Sequence, residues 1–234
     1  MKFSFIIPTR GRPEWIRECI ESIHATVSDV SRVEVLLGMD NDDIDTVAFI
    51  RDTITAQKWS SVRIELFQRA GYHKLQVYVN RLAEIATGDY FIFFNDDARM
   101  LTPKWDLIVE NAIQNETTLH VYQFKNNHGN ESIFPILPRK WYTLLGHITL
   151  CAPYDSWIAL IANQLGVNCF LDIYAKHLRV AEEGLANQQY YTEVDPSCRI
   201  AHVEMFSPEM ESLRDNDFFK LRNLLYTEDK EDLA

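Results

Sequence analysis

The chain has 234 residues, 47% of them hydrophobic and 24% charged, with only eight glycines and eight prolines. That profile excludes a disordered or fibrous chain and suits one large α/β domain better than two small ones. The formal net charge of −11 argues against broad binding to nucleic acid or anionic membranes, which are held by excess Lys and Arg, although it leaves room for a local basic groove. No apolar run approaches the length of a membrane span, and the first one stops at Pro8, too short for a secretion signal. Cys19, Cys151, Cys169 and Cys198 are scattered without Cys-x-x-Cys spacing, which reads as reduced thiols in a cytoplasmic protein.

Phe3 to Ile7 reads as a short buried strand that Pro8-Thr9-Arg10-Gly11-Arg12-Pro13 turns into a loop. Trp15, Ile16, Cys19, Ile20 and Ile23 then recur at helical spacing opposite Glu14, Arg17, Glu18 and Glu21. The unit repeats: strand Val33 to Met39, polar loop Asp40 to Asp43, helix Asp45 to Gln57, and a third strand at Val62 to Phe67. Lys74 to Ala86 is a helix with Leu75, Tyr78, Val79, Leu82 and Ile85 on one face. Thr87-Gly88-Asp89 ends it and Tyr90 to Phe94 is the fourth strand. Further on, Trp105 to Asn115 reads as helix, Leu119 to Phe124 as strand, Lys125 to Glu131 as polar loop and Ile133 to Pro138 as an edge strand. Asp155 to Leu165 reads as helix and Cys169 to Tyr174 as strand; Phe218 to Leu225 is a helix before a frayed acidic end.

Such alternation predicts a single α/β domain with a mainly parallel central sheet and helices on both faces. Binding loops of such sheets lie at the carboxyl ends of the strands. The loops at Thr9, Asp40 and Asp96 all occupy such ends, so they are expected to share one site. Asn95-Asp96-Asp97 is the informative stretch, because five apolar or aromatic residues run into two adjacent carboxylates, which repel unless a cation or solvent separates them. The competing reading is a helix N-cap with a second acid, Ala98-Arg99-Met100 starting the turn.

Together, FSFIIPTRGRPEWIRECIESI, GMDND, the Gly71 to Gly88 segment and YFIFFNDDARM resemble the N-terminal half of nucleotide-sugar-dependent glycosyltransferases with the Rossmann-like GT-A fold, in particular the inverting family 2. The resemblance implies that Pro8, Thr9 and Arg10 form the first donor loop, that Asp40 contacts the nucleobase, and that Asn95, Asp96 and Asp97 match the Asp-x-Asp metal motif. Asn95 stands where the family has an acid. Asp97 then holds the metal directly, while Asp96 faces the sugar or ribose. In the less similar second half, Asp155 matches the catalytic base by order and context. His177 is the closest match for the histidine that completes the metal shell, with His202 competing. The implied organisation is one domain, 1–234, with donor binding in 1–100, acceptor binding in 101–206 and an acidic helical tail in 207–234.

The implied chemistry suits these residue types. A departing diphosphate gains negative charge that Mn²⁺ or Mg²⁺ offsets, and such cations take carboxylate oxygen, with imidazole acceptable to Mn²⁺. Inversion needs a base for the acceptor hydroxyl, here Asp155, whose alternative is a helix cap. Arg10 and Lys74 stay open between phosphate and solvent, whereas Arg12 reads as solvated. His73, His120, His128 and His147 read as ordinary hydrogen-bonding histidines, and Trp141, Tyr142 and Trp157 as core ahead of sugar binding. The expected donor is a UDP-sugar. The acceptor, a glycan, a lipid-linked glycan or with less support a modified nucleic-acid base, is not legible. A glycosyltransferase-like binding module without catalysis, for which Asn95 speaks, and a sugar nucleotidyltransferase, for which PTRGRP is poor in glycine, are the alternatives.

Overall fold

The computed structural model of the protein describes residues 1–114, 119–127, 129, 131–178 and 197–231. The first half consists of β1 (Phe3–Thr9), α1 (Pro13–Thr26), β2 (Val33–Asp40), α2 (Ile44–Gln57), β3 (Val62–Phe67), α3 (Leu75–Ile85) and β4 (Tyr90–Phe93). There follow β5 (Ala98–Met100), α4 (Trp105–Ile113), β6 (Val121–Lys125), β7 (Pro135–Pro138), α5 (Arg139–Leu145), α6 (Tyr154–Leu165) and β8 (Asn168–His177). Helices α7 (Ser197–Glu204) and α8 (Pro208–Glu231) complete the described chain.

The strands form one sheet in the order β3-β2-β1-β4-β7-β6-β8-β5. β3, β2, β1 and β4 run parallel, in a register that sets Phe3 beside both Val33 and Tyr90. β7 is antiparallel to β4 and β6, β6 and β8 are parallel, and β5 pairs antiparallel with the end of β8. The expected α/β architecture with a mainly parallel sheet is therefore present, and its period-two pleat sorts the core. Phe3, Phe5 and Ile7 point to the face covered by Ile16 and Ile20 of α1, Ile50 of α2 and Trp105 of α4. Ile6, Leu36, Phe91 and Phe93 point to the opposite face, against Val79 and Leu82 of α3, Trp157 of α6 and Leu221 of α8. Each such side chain, removed from water on both sides of the sheet, contributes about 1.5–3 kcal/mol.

Three readings of the sequence change. Ile133 to Pro138 is not an edge: β7 is four residues long and lies between β4 and β6. Its prolines sit at the two ends, opposite Gln123 and Tyr90, where a missing N–H interrupts the ladder least. Ala98-Arg99-Met100 begins no helical turn but forms β5, paired with Ala175, Lys176 and His177, so Asp96-Asp97 does not cap a helix. The C-terminal helix is much longer than Phe218 to Leu225, and Phe218 and Leu221 are buried in the second core. Trp141 and Trp157 are core residues, 1% and 0% exposed. Cys19, Cys151 and Cys169 are free thiols. The side chain of Cys198 lies outside the described residues, as does His128. Among the described residues no helix is long and apolar enough to cross a membrane.

At the amino ends of the strands a buried carboxylate ties three segments together. Glu34 of β2 accepts hydrogen bonds from Ser4 Oγ at 2.6 Å and Thr87 Oγ1 at 2.9 Å, and pairs with Arg63 at 2.9 Å and Lys2 at 3.5 Å. Gly88 closes the cluster, its N–H donating to Ser4 Oγ at 2.8 Å. A Cβ there would meet Ser4 Oγ at 2.5 Å and Ser4 N at 2.8 Å, so only glycine fits. Burial raises the Glu34 carboxyl, but these donors and cations outweigh it and pull the pKa down from 4.5 to about 2. A folded pKa below the unfolded one gives stability that is present above pH 4.5 and lost as pH falls towards 2. Glu34→Gln is expected to cost on the order of 2 kcal/mol at neutral pH. In urea unfolding, its deficit against wild type should shrink steadily between pH 5 and pH 2, whereas a pH-independent deficit would refute the assignment.

Candidate active site

β1, β2 and β4 are adjacent and parallel, so their carboxyl ends open on one side of the sheet. Thr9 is the last residue of β1, Asp40 the last of β2, and Asn95 to Asp97 follow β4. Side chains lock the three loops together. Thr9 Oγ1 donates to Asp96 Oδ2 at 2.7 Å, Arg10 Nη1 to Asp40 Oδ2 at 2.9 Å, and Gly11 N–H to Asp43 Oδ2 at 2.6 Å. Arg10 also forks onto Asp42. Gly11 has φ +65°, a left-handed conformation that turns the chain back over the sheet. Between the loops lies a cleft of about 220 Å³ that Pro8, Thr9, Arg10, Asp40, Asp96 and Asp97 line from one side.

Asp40 is held from two directions. Opposite Arg10, the Tyr78 hydroxyl donates to Asp40 Oδ1 and accepts from the Ala70 N–H at 3.0 Å. Burial and then the Asp40 hydrogen bond push the phenol up to about 12, so it stays a donor.

Asp96 and Asp97 are 7% and 1% exposed. Arg12 Nη1 lies 2.9 Å from Asp96 Oδ1 and 3.5 Å from Asp97 Oδ2, while His177 Nε2 lies 3.1 Å from Asp97 Oδ1. Burial lifts the Asp96 carboxyl above its ordinary value against the pull of Arg12. Burial also presses Asp97 upward, but His177 and Arg12 prevail and hold it below its ordinary value. Both of its oxygens are buried without a hydrogen bond of ordinary geometry. A buried carboxylate without a hydrogen bond of ordinary geometry, beside an imidazole, has donor chemistry that suits a divalent cation, and Asp97 and His177 are the side chains that would hold one. Among the described residues no group of three His, Cys, Asp or Glu side chains converges.

The second half of the chain also lines this cleft, through Ala152 to Asp155 at the start of α6. Asp155 is the second residue of α6, its Oδ1 accepting from the Ser156 N–H at 2.7 Å, and the N-cap is Pro153. It is thus a first-turn acid favoured by the helix dipole, not the cap. A second, larger cleft of about 600 Å³ adjoins the first and shares Tyr72, Asn95 and Asp155 with it, while Ser156, His177, Met205 and Phe206 lie further along. Asn95 joins the two walls: Tyr154 Oη donates to its Oδ1 at 3.0 Å, and its Nδ2 lies 3.0 Å from His177 Nε2.

Of the residues singled out from sequence, Pro8, Thr9, Arg10, Asp40, Asn95, Asp96, Asp97 and Asp155 line the first cleft. His177 lines the second, directly behind Asp97. Lys74 does not belong with them: it ends the 3₁₀ turn Tyr72–Lys74 and lines neither cleft. His202 sits in α7, and its side chain lies outside the described residues. Arg12, assigned to solvent from sequence, is instead 12% exposed and in the cleft. Tyr78 and Tyr154 were also missed as polar groups, because an aromatic on the apolar face of a helix advertises its ring and not its hydroxyl.

The sequence profile of glycosyl transferase family 2 matches residues 4–154. The chain belongs to that family and is a glycosyltransferase with the GT-A fold. Three solved structures are similar in fold. The mannosyltransferase PcManGT of Pyrobaculum calidifontis, in complex with GDP-Man and Mn²⁺, has TM-score 0.61 and 15% identity over 100% of this chain and 81% of its own. S. aureus TarS 1-349 in complex with UDP-GlcNAc has TM-score 0.59 and 16% identity, covering 93% and 70% of the two chains. Glucosyl-3-phosphoglycerate synthase of Mycobacterium tuberculosis, with Mn²⁺, UDP and phosphoglyceric acid, has TM-score 0.57 and 14% identity over 82% and 77%. No curated protein matches the sequence.

The Tyr154–Asn95 bond is open to a double-mutant cycle. Asn95→Ala leaves the buried Tyr154 hydroxyl without its acceptor and is expected to cost about 1–3 kcal/mol. Adding Tyr154→Phe should cost less than the sum of the two single changes, because both remove the same bond. Strict additivity in urea unfolding would show that the bond does not form.

Proposed function

We propose that this family 2 enzyme transfers a sugar from a nucleoside diphosphate sugar, a UDP-sugar, to an acceptor hydroxyl with inversion, and that it depends on Mn²⁺ or Mg²⁺. One observation carries the proposal: the Asp97 carboxylate, without a hydrogen bond of ordinary geometry and paired with His177, lines the same cleft as Asp155 at the start of α6. Bound metal supplies Lewis-acid stabilisation of the departing diphosphate. The chain's own residues do the remainder. Arg10, fixed by Asp40 and Asp42, directs a guanidinium into the donor cleft. Asp40, clamped by Arg10 and Tyr78, has a set orientation for a nucleobase or ribose. Asp96, held by Thr9 and Arg12, faces the sugar or ribose.

Asp155 is the general base. It lies where the two clefts meet, so an acceptor hydroxyl in the larger cleft gives up its proton there as its oxygen attacks a donor held in the smaller one. The larger cleft is the acceptor site in this reading, with residues 1–100 serving the donor, 101–206 the acceptor, and 207–234 buttressing the acceptor half. The UDP assignment is supported by the uridine nucleotides named in the similar TarS and glucosyl-3-phosphoglycerate synthase structures. Free Cys19, Cys151 and Cys169 support placement in the cytoplasm.

Melting temperature with Mn²⁺ and a panel of UDP, GDP, CDP and dTDP tests the donor class, since a ligand of the native state raises it. A rise with UDP that disappears with EDTA is expected, and no shift with any nucleotide would refute the reading. With a competent donor and acceptor, Asp97→Ala and Asp155→Asn should each lower turnover by at least about a hundredfold with the fold intact. Near-wild-type turnover of Asp97→Ala would end the metal role, and retained anomeric configuration in the product, read by proton NMR, would end the inverting one.

A further inference from the structure

We propose that Arg12 is a resident counter-cation of the Asp96–Asp97 pair which the divalent metal must displace. The metal then binds weakly to the empty enzyme and tightly only together with a diphosphate. The inference rests on the metal-dependent reading above and concerns how that dependence is controlled.

One nitrogen of Arg12 serves both acids, at 2.9 Å from Asp96 and 3.5 Å from Asp97. The Arg12 side chain is 12% exposed, compared with 31% for Arg10, and its guanidinium lies over the Trp15 ring at 5.5 Å from its centroid. It is therefore part of the site's interior and not a surface charge. The charge count makes it decisive. Asn95 leaves the motif with two carboxylates, and Arg12 offsets one of them, so the nucleotide-free site presents an arriving cation with about one net negative charge. At the distances of this cluster a unit charge is worth more than a factor of ten in cation affinity.

The two contacts are unequal. Arg12 donates a hydrogen bond to Asp96, whereas its approach to Asp97 is an ion pair only, and both Asp97 oxygens remain without a hydrogen bond of ordinary geometry. Asp97 can thus exchange Arg12 for a closer ligand while Asp96 keeps hold of it. Arg12 also lines the same cleft as Arg10. A diphosphate there offers the fork new acceptors and brings charge that favours both cations. Nucleotide and metal are then mutually reinforcing by linkage.

The test is titration of the whole chain with MnCl₂, followed by electron paramagnetic resonance, alone and with UDP or GDP. Arg12→Gln is expected to bind Mn²⁺ alone at least about tenfold more tightly than wild type. The further tightening caused by nucleotide should shrink by a comparable factor. Arg12→Lys, which keeps the charge, should stay within about threefold of wild type. If the Gln variant does not fold by circular dichroism, Arg12→Met keeps the apolar stem over Trp15 and makes the same comparison. A folded, uncharged variant that binds Mn²⁺ alone no more tightly than wild type overturns the role of Arg12 while leaving the metal-dependent reading standing. Failure of wild type and variant alike to bind Mn²⁺, even with nucleotide, overturns that reading and this inference with it.

Discussion

Two adjacent carboxylates held in the interior at the end of β4 are the constraint around which this molecule is arranged. Asp96 and Asp97 repel each other and lose their water together, so they persist only because cations and donors reach them from other segments. Thr9 ends β1, Arg12 comes from the loop that follows it, and His177 comes from the end of β8. The parallel order β2-β1-β4 is what makes the first of these possible, because it sets the end of β1 directly between the ends of its neighbours. The short β5 makes the second possible, since pairing Ala98 with His177 brings the far end of β8 back to the residue after Asp97.

The opposite end of the same sheet shows what a purely structural buried carboxylate looks like. Glu34 has hydrogen-bond donors from Ser4 and Thr87 and cations from Lys2 and Arg63, and neither of its oxygens is left over. Asp97 has two ion-pair neighbours and no hydrogen bond of ordinary geometry. Burial is comparable, so the difference lies in satisfaction. An interior that closes its hydrogen bonds at one end of a sheet and leaves them open at the other stores binding capacity at the open end.

Much of this was legible in the sequence because it follows from local periodicity. The alternation of buried strands with amphipathic helices gave β1 to β4 and α1 to α3 and put Thr9, Asp40 and Asp96 at strand ends. What was not legible depended on long-range pairing or on loop direction. β5 is three residues long and exists only through β8, so its residues looked like the start of a helix. β7 looked like an edge because its prolines were visible and its neighbours were not. Arg12 looked solvated because nothing in PTRGRP says that the left-handed turn at Gly11 sends the next side chain inward. Lys74, which the sequence left open between phosphate and solvent, lies in a 3₁₀ turn and is not among the residues that line the cleft.

An asparagine at position 95 suits the same electrostatics. A third carboxylate beside Asp96 and Asp97 would add a further negative charge in a place sheltered from water, where one nitrogen of Arg12 already serves both acids. The amide avoids that charge and does something an acid cannot, since it accepts from the Tyr154 hydroxyl with one atom while its Nδ2 meets His177 with the other. A carboxylate could only accept from both. The result is a continuous chain of polar contacts from Tyr154, the first residue of the helix that carries Asp155, through Asn95 to His177 and Asp97. The start of the helix that carries Asp155 is thereby linked to Asp97 through an uncharged residue.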